Sequence, residues 1–134
     1  GSSGNDSLYG GDGNDRIWGR FGNDYLSGGE GDDLMRAGQG QDVVIGGYGQ
    51  DDVHGGNGAD LIRGGHDEDI LLGNAGEDLI YGDEGDDLLY GGNGDDRVFG
   101  GDGNDRVEGG SKDDILYGGQ GMDRLYGGAA NDLS

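Results

Sequence analysis

The residues of this chain best suited to chemistry are aspartates that recur at every ninth position. Each of fifteen successive nine-residue units carries one at its sixth position. The column consists of Asp6, Asp15, Asp24, Asp33, Asp42, Asp51, Asp60, Asp69, Asp78, Asp87, Asp96, Asp105, Asp114, Asp123 and Asp132. Carboxylate and main-chain oxygens in flexible turns suit calcium, whereas zinc and copper favour histidine or cysteine and magnesium needs a rigid octahedral site. We therefore predict that these aspartates are calcium ligands.

The composition limits what else the chain can be. Only 30% of its 134 residues are apolar and 37 are glycine, so an ordinary globular core is not expected. Low hydropathy and a net charge of −21 are typical of disordered chains, and the charge argues against nucleic acid as a partner. There is no cysteine to form disulfides. No apolar run is long enough for a membrane span, and no signal peptide is recognisable at the amino terminus.

The nine-residue period is the feature that argues against disorder. A representative unit is 10–18, with the sequence GGDGNDRIW, and no insertion breaks the phase. The first position is glycine except at Ala37, and the fourth is glycine except at Asp67, Lys112 and Ala130. Glycine recurs where a turn needs positive φ or where backbone segments approach closely, so both columns indicate turns. Repeats of this kind form a core only by stacking on one another.

The eighth position supplies the predicted core. It is aliphatic or methionine in fourteen units and departs only at Ser134. The fourteen residues are Leu8, Ile17, Leu26, Met35, Val44, Val53, Ile62, Leu71, Ile80, Leu89, Val98, Val107, Leu116 and Leu125. We predict a six-residue glycine turn followed by a three-residue strand, with the eighth side chain inward and two units per coil. Non-glycine residues at the second position, such as Arg20, Asn74 and Asp83, are acceptable if that column is less constrained than the first.

Stacking brings the aspartates of every second unit together, and their like charges then repel unless a cation lies between them. One ion in each gap gives about 13 sites, seven in the odd-numbered stack and six in the even-numbered stack. Lys112 and Ala130 make the site of Asp114 and Asp132 the weakest by this reasoning. Asp67 makes the eighth unit the second weakest.

The pattern Gly-Gly-x-Gly-x-Asp-x-aliphatic-x resembles the RTX nonapeptide of secreted bacterial haemolysins, metalloproteases, lipases and adhesins. The resemblance covers essentially all of residues 1–134 and implies a single all-β domain, a right-handed parallel β-roll (a β-helix or solenoid) of fifteen repeats. It implies calcium ions shared between units i and i+2, as between Asp15 and Asp33 or Asp87 and Asp105.

The same family implies type I export in an unfolded state and folding on extracellular calcium, hence a secreted protein. Its members also carry a catalytic or lytic segment before the repeats and a capping segment after them. Neither is recognisable in this sequence, which favours an excised or engineered repeat fragment.

A second interpretation concerns the outward positions of the odd-numbered units, which are more apolar than a solvated face requires. They include Tyr25, Val43, Ile45, Leu61, Leu79, Tyr81, Phe99, Ile115 and Tyr117. These residues favour strands in any case, so strand propensity and a partner-binding face are equally weighted alternatives. In the second alternative the chain is a calcium-rigidified adhesive scaffold that self-associates through this face or through uncapped ends. His54 and His66 lack a nucleophile at useful spacing, so no enzyme activity is predicted.

Overall fold

The computed structural model describes residues 1–134 as two parallel sheets joined by short turns. The strands are β1 (Ser7–Asp12), β2 (Arg16–Phe21), β3 (Tyr25–Glu30), β4 (Leu34–Gln39), β5 (Val43–Tyr48), β6 (Asp52–Asn57), β7 (Leu61–His66), β8 (Ile70–Ala75), β9 (Leu79–Glu84), β10 (Leu88–Asn93), β11 (Arg97–Asp102), β12 (Arg106–Ser111), β13 (Ile115–Gln120) and β14 (Arg124–Ala129). Odd-numbered strands form one seven-stranded sheet and even-numbered strands the other, each in sequential order. The predicted all-β parallel solenoid with two units per coil is confirmed. None of its elements is a helix able to cross a lipid bilayer.

The strands are six residues long, so the predicted length of three is wrong. Each begins at the seventh position of one unit and continues through the third position of the next. The glycines that sequence reasoning assigned to the turn pair in register with glycines of the neighbouring coil, as Gly11 does with Gly29. Glycine is a poor strand former alone, but identical units stacked in register let two bare backbones pair without steric conflict.

The core lies between the two sheets and is built from the predicted eighth-position row. From Leu26 to Leu116 these side chains are at most 1% exposed. Leu8 and Leu125, in the terminal coils, are only partly buried. The burial pattern also turns the first position of each following unit inward, which includes the fully buried Ala37. Each strand therefore contributes one aliphatic side chain and one very small residue to the interior.

The second-position column is more constrained than sequence reasoning assumed. Its glycines have positive φ, for example 122° at Gly29. Arg20, Asn74 and Asp83 adopt the same conformation with φ of 88°, 79° and 80°. Residues with a Cβ rarely adopt this region, and asparagine and aspartate tolerate it better than other residues, so the strain is greatest at Arg20. The first-position glycines do not have positive φ. Their column admits alanine once, at Ala37, and its preference for glycine has a different reason, which concerns the aspartates.

Candidate metal centre

All fifteen predicted aspartates lie in the turns and stack in two columns along the solenoid. Fourteen of them immediately precede a strand, and Asp132 precedes the single bridge that Leu133 makes with Ile115. From Asp6 to Asp114, the backbone N–H of each position-six aspartate donates to Oδ1 of the aspartate two units later. The distance is 2.7 Å from Asp15 to Asp33 and 2.9 Å from Asp87 to Asp105. The same bond joins every gap of both stacks, from Asp6–Asp24 to Asp114–Asp132, where it is 3.1 Å long. The structure therefore brings together the pairs that the sequence predicted.

The second oxygen of these carboxylates is buried without a partner. Oδ2 of every position-six aspartate from Asp15 to Asp114 is inaccessible to solvent and makes no hydrogen bond. The aspartates from Asp24 to Asp114 are at most 3% exposed as whole residues. A buried, unpaired carboxylate oxygen is strongly destabilising unless a cation or a proton compensates it.

The pKa values of these carboxyls show the same cost of burying an unpaired carboxylate. Burial raises the pKa of Asp51, Asp60, Asp87 and Asp96 to about 7. It raises the pKa of Asp69 to about 8. The hydrogen bond from the preceding aspartate N–H opposes the shift, while the charges of neighbouring aspartates add to it. Loss of hydration is therefore the dominant cause, and it shifts the balance of these central carboxyls toward the neutral acid when no cation is bound.

The space that Oδ2 faces is bounded by main-chain oxygen and explains the first-position glycines. A Cβ at Gly91 would lie 2.5 Å from Oδ2 of Asp96 and 2.7 Å from the carbonyl oxygen of Gly109, two units later. At Gly55 the corresponding distances are 2.5 Å and 2.9 Å. A side chain would thus fill a cradle between a carboxylate and a carbonyl of successive coils. Hard carboxylate and carbonyl oxygens are the ligand types that calcium prefers, and these two would supply part of its set of about six to eight.

The first-position carbonyl that faces Oδ2 could not be identified from the sequence. A glycine at this position indicates that space is needed there but does not show which main-chain oxygen borders that space. No point in the structure gathers three or more His, Cys, Asp or Glu side chains into a metal-binding group. In every unit that begins with glycine, the oxygen that faces the orphaned Oδ2 across this space belongs to the main chain instead. Repetition places the same pair of oxygens in coil after coil.

The two histidines lie outside these columns and pair with acids on the surface. His54 Nε2 lies 3.0 Å from Oδ1 of Asp52, and His66 Nδ1 lies 3.0 Å from Oε2 of Glu84. The ring of His66 also stacks on Tyr48, with a centroid distance of 4.3 Å. Both histidines therefore act at the surface as partners of acidic side chains.

A family model described as the RTX calcium-binding nonapeptide repeat, in four copies, matches six overlapping segments of the chain. The segments are 1–35, 27–62, 45–80, 63–98, 72–107 and 99–133. They leave almost no residue unmatched, which confirms the resemblance seen in the nine-residue pattern. No curated protein matches the chain.

Proposed function

Because this chain belongs to the RTX calcium-binding nonapeptide repeat family, and therefore binds calcium, we propose that it is a calcium-responsive folding module. In this proposal calcium drives residues 1–134 to fold as one domain and thereby supports the secretion and stability of a secreted bacterial protein. The observation that carries the proposal is the row of buried Oδ2 atoms without partners. The β-roll itself is a structural calcium-binding module.

The proposed ligands are the fifteen position-six aspartates. The thirteen from Asp6 to Asp114 would act through Oδ2 together with the first-position carbonyl of the unit two later, whereas Asp123 and Asp132 have no later coil above them. Oδ1 has a separate task, since it accepts the N–H of the preceding aspartate in the stack and fixes the orientation of the carboxylate. Bound calcium supplies positive charge and accepts oxygen ligands in flexible geometry. With one ion in each gap, about 13 ions bring about 26 positive charges to a chain of net charge −21.

The physical basis of the response is linkage between binding and folding. An unfolded chain does not bring Asp33 to Asp15, because these residues are eighteen positions apart and meet only through stacked coils. A cation that binds only the stacked form stabilises that form by mass action. Low calcium would then keep the chain loose for export, and extracellular calcium would fold it. The proposed location is therefore outside the cell.

A calcium titration by far-ultraviolet circular dichroism tests the proposal, starting from the chelated chain with magnesium in parallel. We expect a cooperative change from a disordered to a β signal at sub-millimolar to millimolar calcium, and no such change with magnesium. A chain that is already folded at neutral pH in chelator and does not respond to calcium would contradict the proposal.

A matched pair of variants assigns the response to the proposed ligands. Asp51→Asn, Asp69→Asn and Asp87→Asn together remove three charges from one aspartate stack and should weaken the calcium response. Asp12→Asn, Glu30→Gln and Asp102→Asn remove three charges from exposed side chains instead. Equal responses from the two triple variants would show that the response depends on net charge and not on the stacked carboxylates.

A second candidate function is an adhesive scaffold that binds a further copy of itself. It is favoured by the aromatic stack on the outer face of the odd-numbered sheet, where Tyr81, Phe99 and Tyr117 have centroid distances of 5.0 Å and 4.9 Å. Sedimentation velocity in saturating calcium tests it. Concentration-dependent association that is lost when all three residues are changed to serine would support the scaffold, and a monomer at all concentrations would exclude it.

A further inference from the structure

The turns contain a second ladder of side-chain hydrogen bonds that is separate from the aspartate columns. It involves the fifth position of each unit, immediately before the position-six aspartate. In seven gaps, Oδ1 of an asparagine or aspartate at this position accepts the N–H of the fifth residue two units later. The acceptors are Asn5, Asn14, Asn23, Asp32, Asp86, Asn104 and Asp113. We call these bonds the position-five ladder.

The position-five ladder runs in the opposite direction to the aspartate bonds. In the gap between the second and fourth units, Asp15 N–H donates forward to Asp33 at 2.7 Å. In the same gap, Asp32 N–H donates backward to Asn14 at 3.1 Å. Adjacent residues of two turns are therefore held by a pair of opposed hydrogen bonds. This arrangement fixes both the spacing and the lateral position of the turns without any metal.

Every unit that takes part has a short side chain, asparagine or aspartate, at the fifth position. Gln41, Gln50, Glu68 and Glu77 also stand at the fifth position and carry oxygen acceptors, but none accepts the corresponding N–H. Ala59 has no acceptor at all. One additional methylene moves the acceptor beyond the short span between turns. Asp95 is the one short side chain with a turn two units later that does not make the bond, and the structure gives no reason for this exception.

The outer and central turns of the solenoid therefore differ in whether ladder bonds connect them. The ladder joins turns in both outer parts of the solenoid, whereas the fifth-position N–H groups of Ala59, Glu68 and Glu77 donate no such bond. The position-six aspartates of this central part, among them Asp60 and Asp69, are at most 2% exposed and carry orphaned Oδ2 atoms. The centre has the buried carboxylates but lacks the position-five ladder. Between the sixth and eighth units, Gly49 N–H instead donates to Oδ2 of Asp67, and the side-chain amide of Gln50 donates to Glu68.

We propose that the position-five asparagines and aspartates are positioning residues for calcium binding, which hold the turns of both outer segments in the binding arrangement and leave the central turns dependent on the cation. The inference rests on the proposed function, because it assigns the residues that prepare the aspartate columns for the ion. These residues act through the turn backbone and do not themselves contact the metal.

The decisive test compares two variants of identical charge. In the first, Asp32, Asp86 and Asp113 are changed to asparagine, so all seven acceptors become asparagine. In the second, all seven acceptors are changed to glutamine. The glutamine variant loses seven hydrogen bonds, and this loss of folding free energy is divided over about 13 bound ions. We therefore expect the calcium concentration at its folding midpoint to be about twofold to fourfold higher than that of the seven-asparagine variant. Asn131→Gln is the matched control, since the Asn131 side chain accepts no such bond, and it should leave the midpoint unchanged.

Hydrogen exchange provides a readout that a general loss of stability would not reproduce. In the calcium-loaded parent, the amides of Asn23, Asp32 and Gln41 should exchange more slowly than those of Glu68 and Glu77. Gln41→Asn with Gln50→Asn introduces acceptors of the effective length. These substitutions should newly protect the amides of Ala59 and Glu68 while the exchange of other turns is unchanged.

Equal midpoints in the seven-asparagine and seven-glutamine variants, with equal exchange at the fifth-position amides, would overturn the positioning role and leave the proposed function intact. If Gln41→Asn with Gln50→Asn does not protect the amides of Ala59 and Glu68, the positioning role is overturned even if the glutamine variant does not fold. A parent chain that does not respond to calcium would overturn the proposed function, and the positioning role with it.

Discussion

The interior of the solenoid and its turns differ in whether every buried group finds a partner within the chain. Inside, side chains such as Leu71 and Ile80 are fully buried against their counterparts and need nothing from outside the chain. In the turns, carboxylates such as Asp69 are just as buried, yet one oxygen of each has no partner. The interior therefore specifies which shape is formed. The turns decide whether that shape is stable under given conditions.

The largest expected effect concerns pH without calcium. Because burial raises the pKa of the central aspartates from the ordinary 3.8 to about 7 or 8, the folded chain binds more protons than the unfolded chain between about pH 4 and pH 8. The stability of the metal-free fold should fall as pH rises through this range. Circular dichroism in chelator should show more β structure at pH 5 than at pH 8. In calcium the fold should be more stable at pH 8 than at pH 5, since protons compete with the cation. Equal stability at both pH values in chelator would contradict the claim that buried carboxylates destabilise the metal-free turns.

The next effect tests the interior. Leu71→Ala removes a fully buried side chain and should lower the free energy of unfolding in saturating calcium by about 2–5 kcal/mol. The measurement is denaturant unfolding at fixed calcium. Leu72→Ala is the control, because this side chain lies on the outer face of the same strand and is only half-buried. A loss no larger than that of the control would mean that the interior row does not hold the fold together.

The next effect, that of Asp69→Asn on stability, should change sign between chelator and calcium. Asp69→Asn keeps Oδ1 as the acceptor for Asp51 N–H but removes a charge that burial disfavours. In chelator at neutral pH the variant should be more stable than the parent by about 1–3 kcal/mol. In saturating calcium it should be less stable, because one proposed ligand is lost. Asp102→Asn removes the same charge from an exposed side chain, and an equal effect from it in both conditions would refute the assignment.

The smallest effect concerns backbone strain in the turns. Arg20 has φ of 88° at a position where most units have glycine, so Arg20→Gly should stabilise the folded state by about 0.5–1 kcal/mol. Thermal unfolding in saturating calcium measures this gain. Arg20→Gln retains the strain while it removes the charge, and the two variants should therefore differ. If they are equally stable, the charge and not the conformation explains the effect.

Much of the fold could be predicted because the repeat reduces it to one unit. The eighth-position row predicted the interior, and the period of nine with two units per coil predicted which aspartates would meet, as Asp15 and Asp33 do. The strand length was mispredicted because propensity treats glycine as a turn residue, whereas stacking pairs Gly11 with Gly29. The metal ligands and the number of ions remain predictions.

The sequence by itself determined the period, the inward row and the positions of the carboxylates, because these depend only on residue type and spacing. Only the tertiary structure decided what each oxygen does. It gave Oδ1 of Asp96 to the N–H of Asp78 and left its Oδ2 facing the carbonyl of Gly109. It also separated glycines needed for space, such as Gly91, from those needed for positive φ, such as Gly29. These outcomes arise from contacts between residues eighteen positions apart, whose relative placement to within an ångström is set by the packing of whole coils.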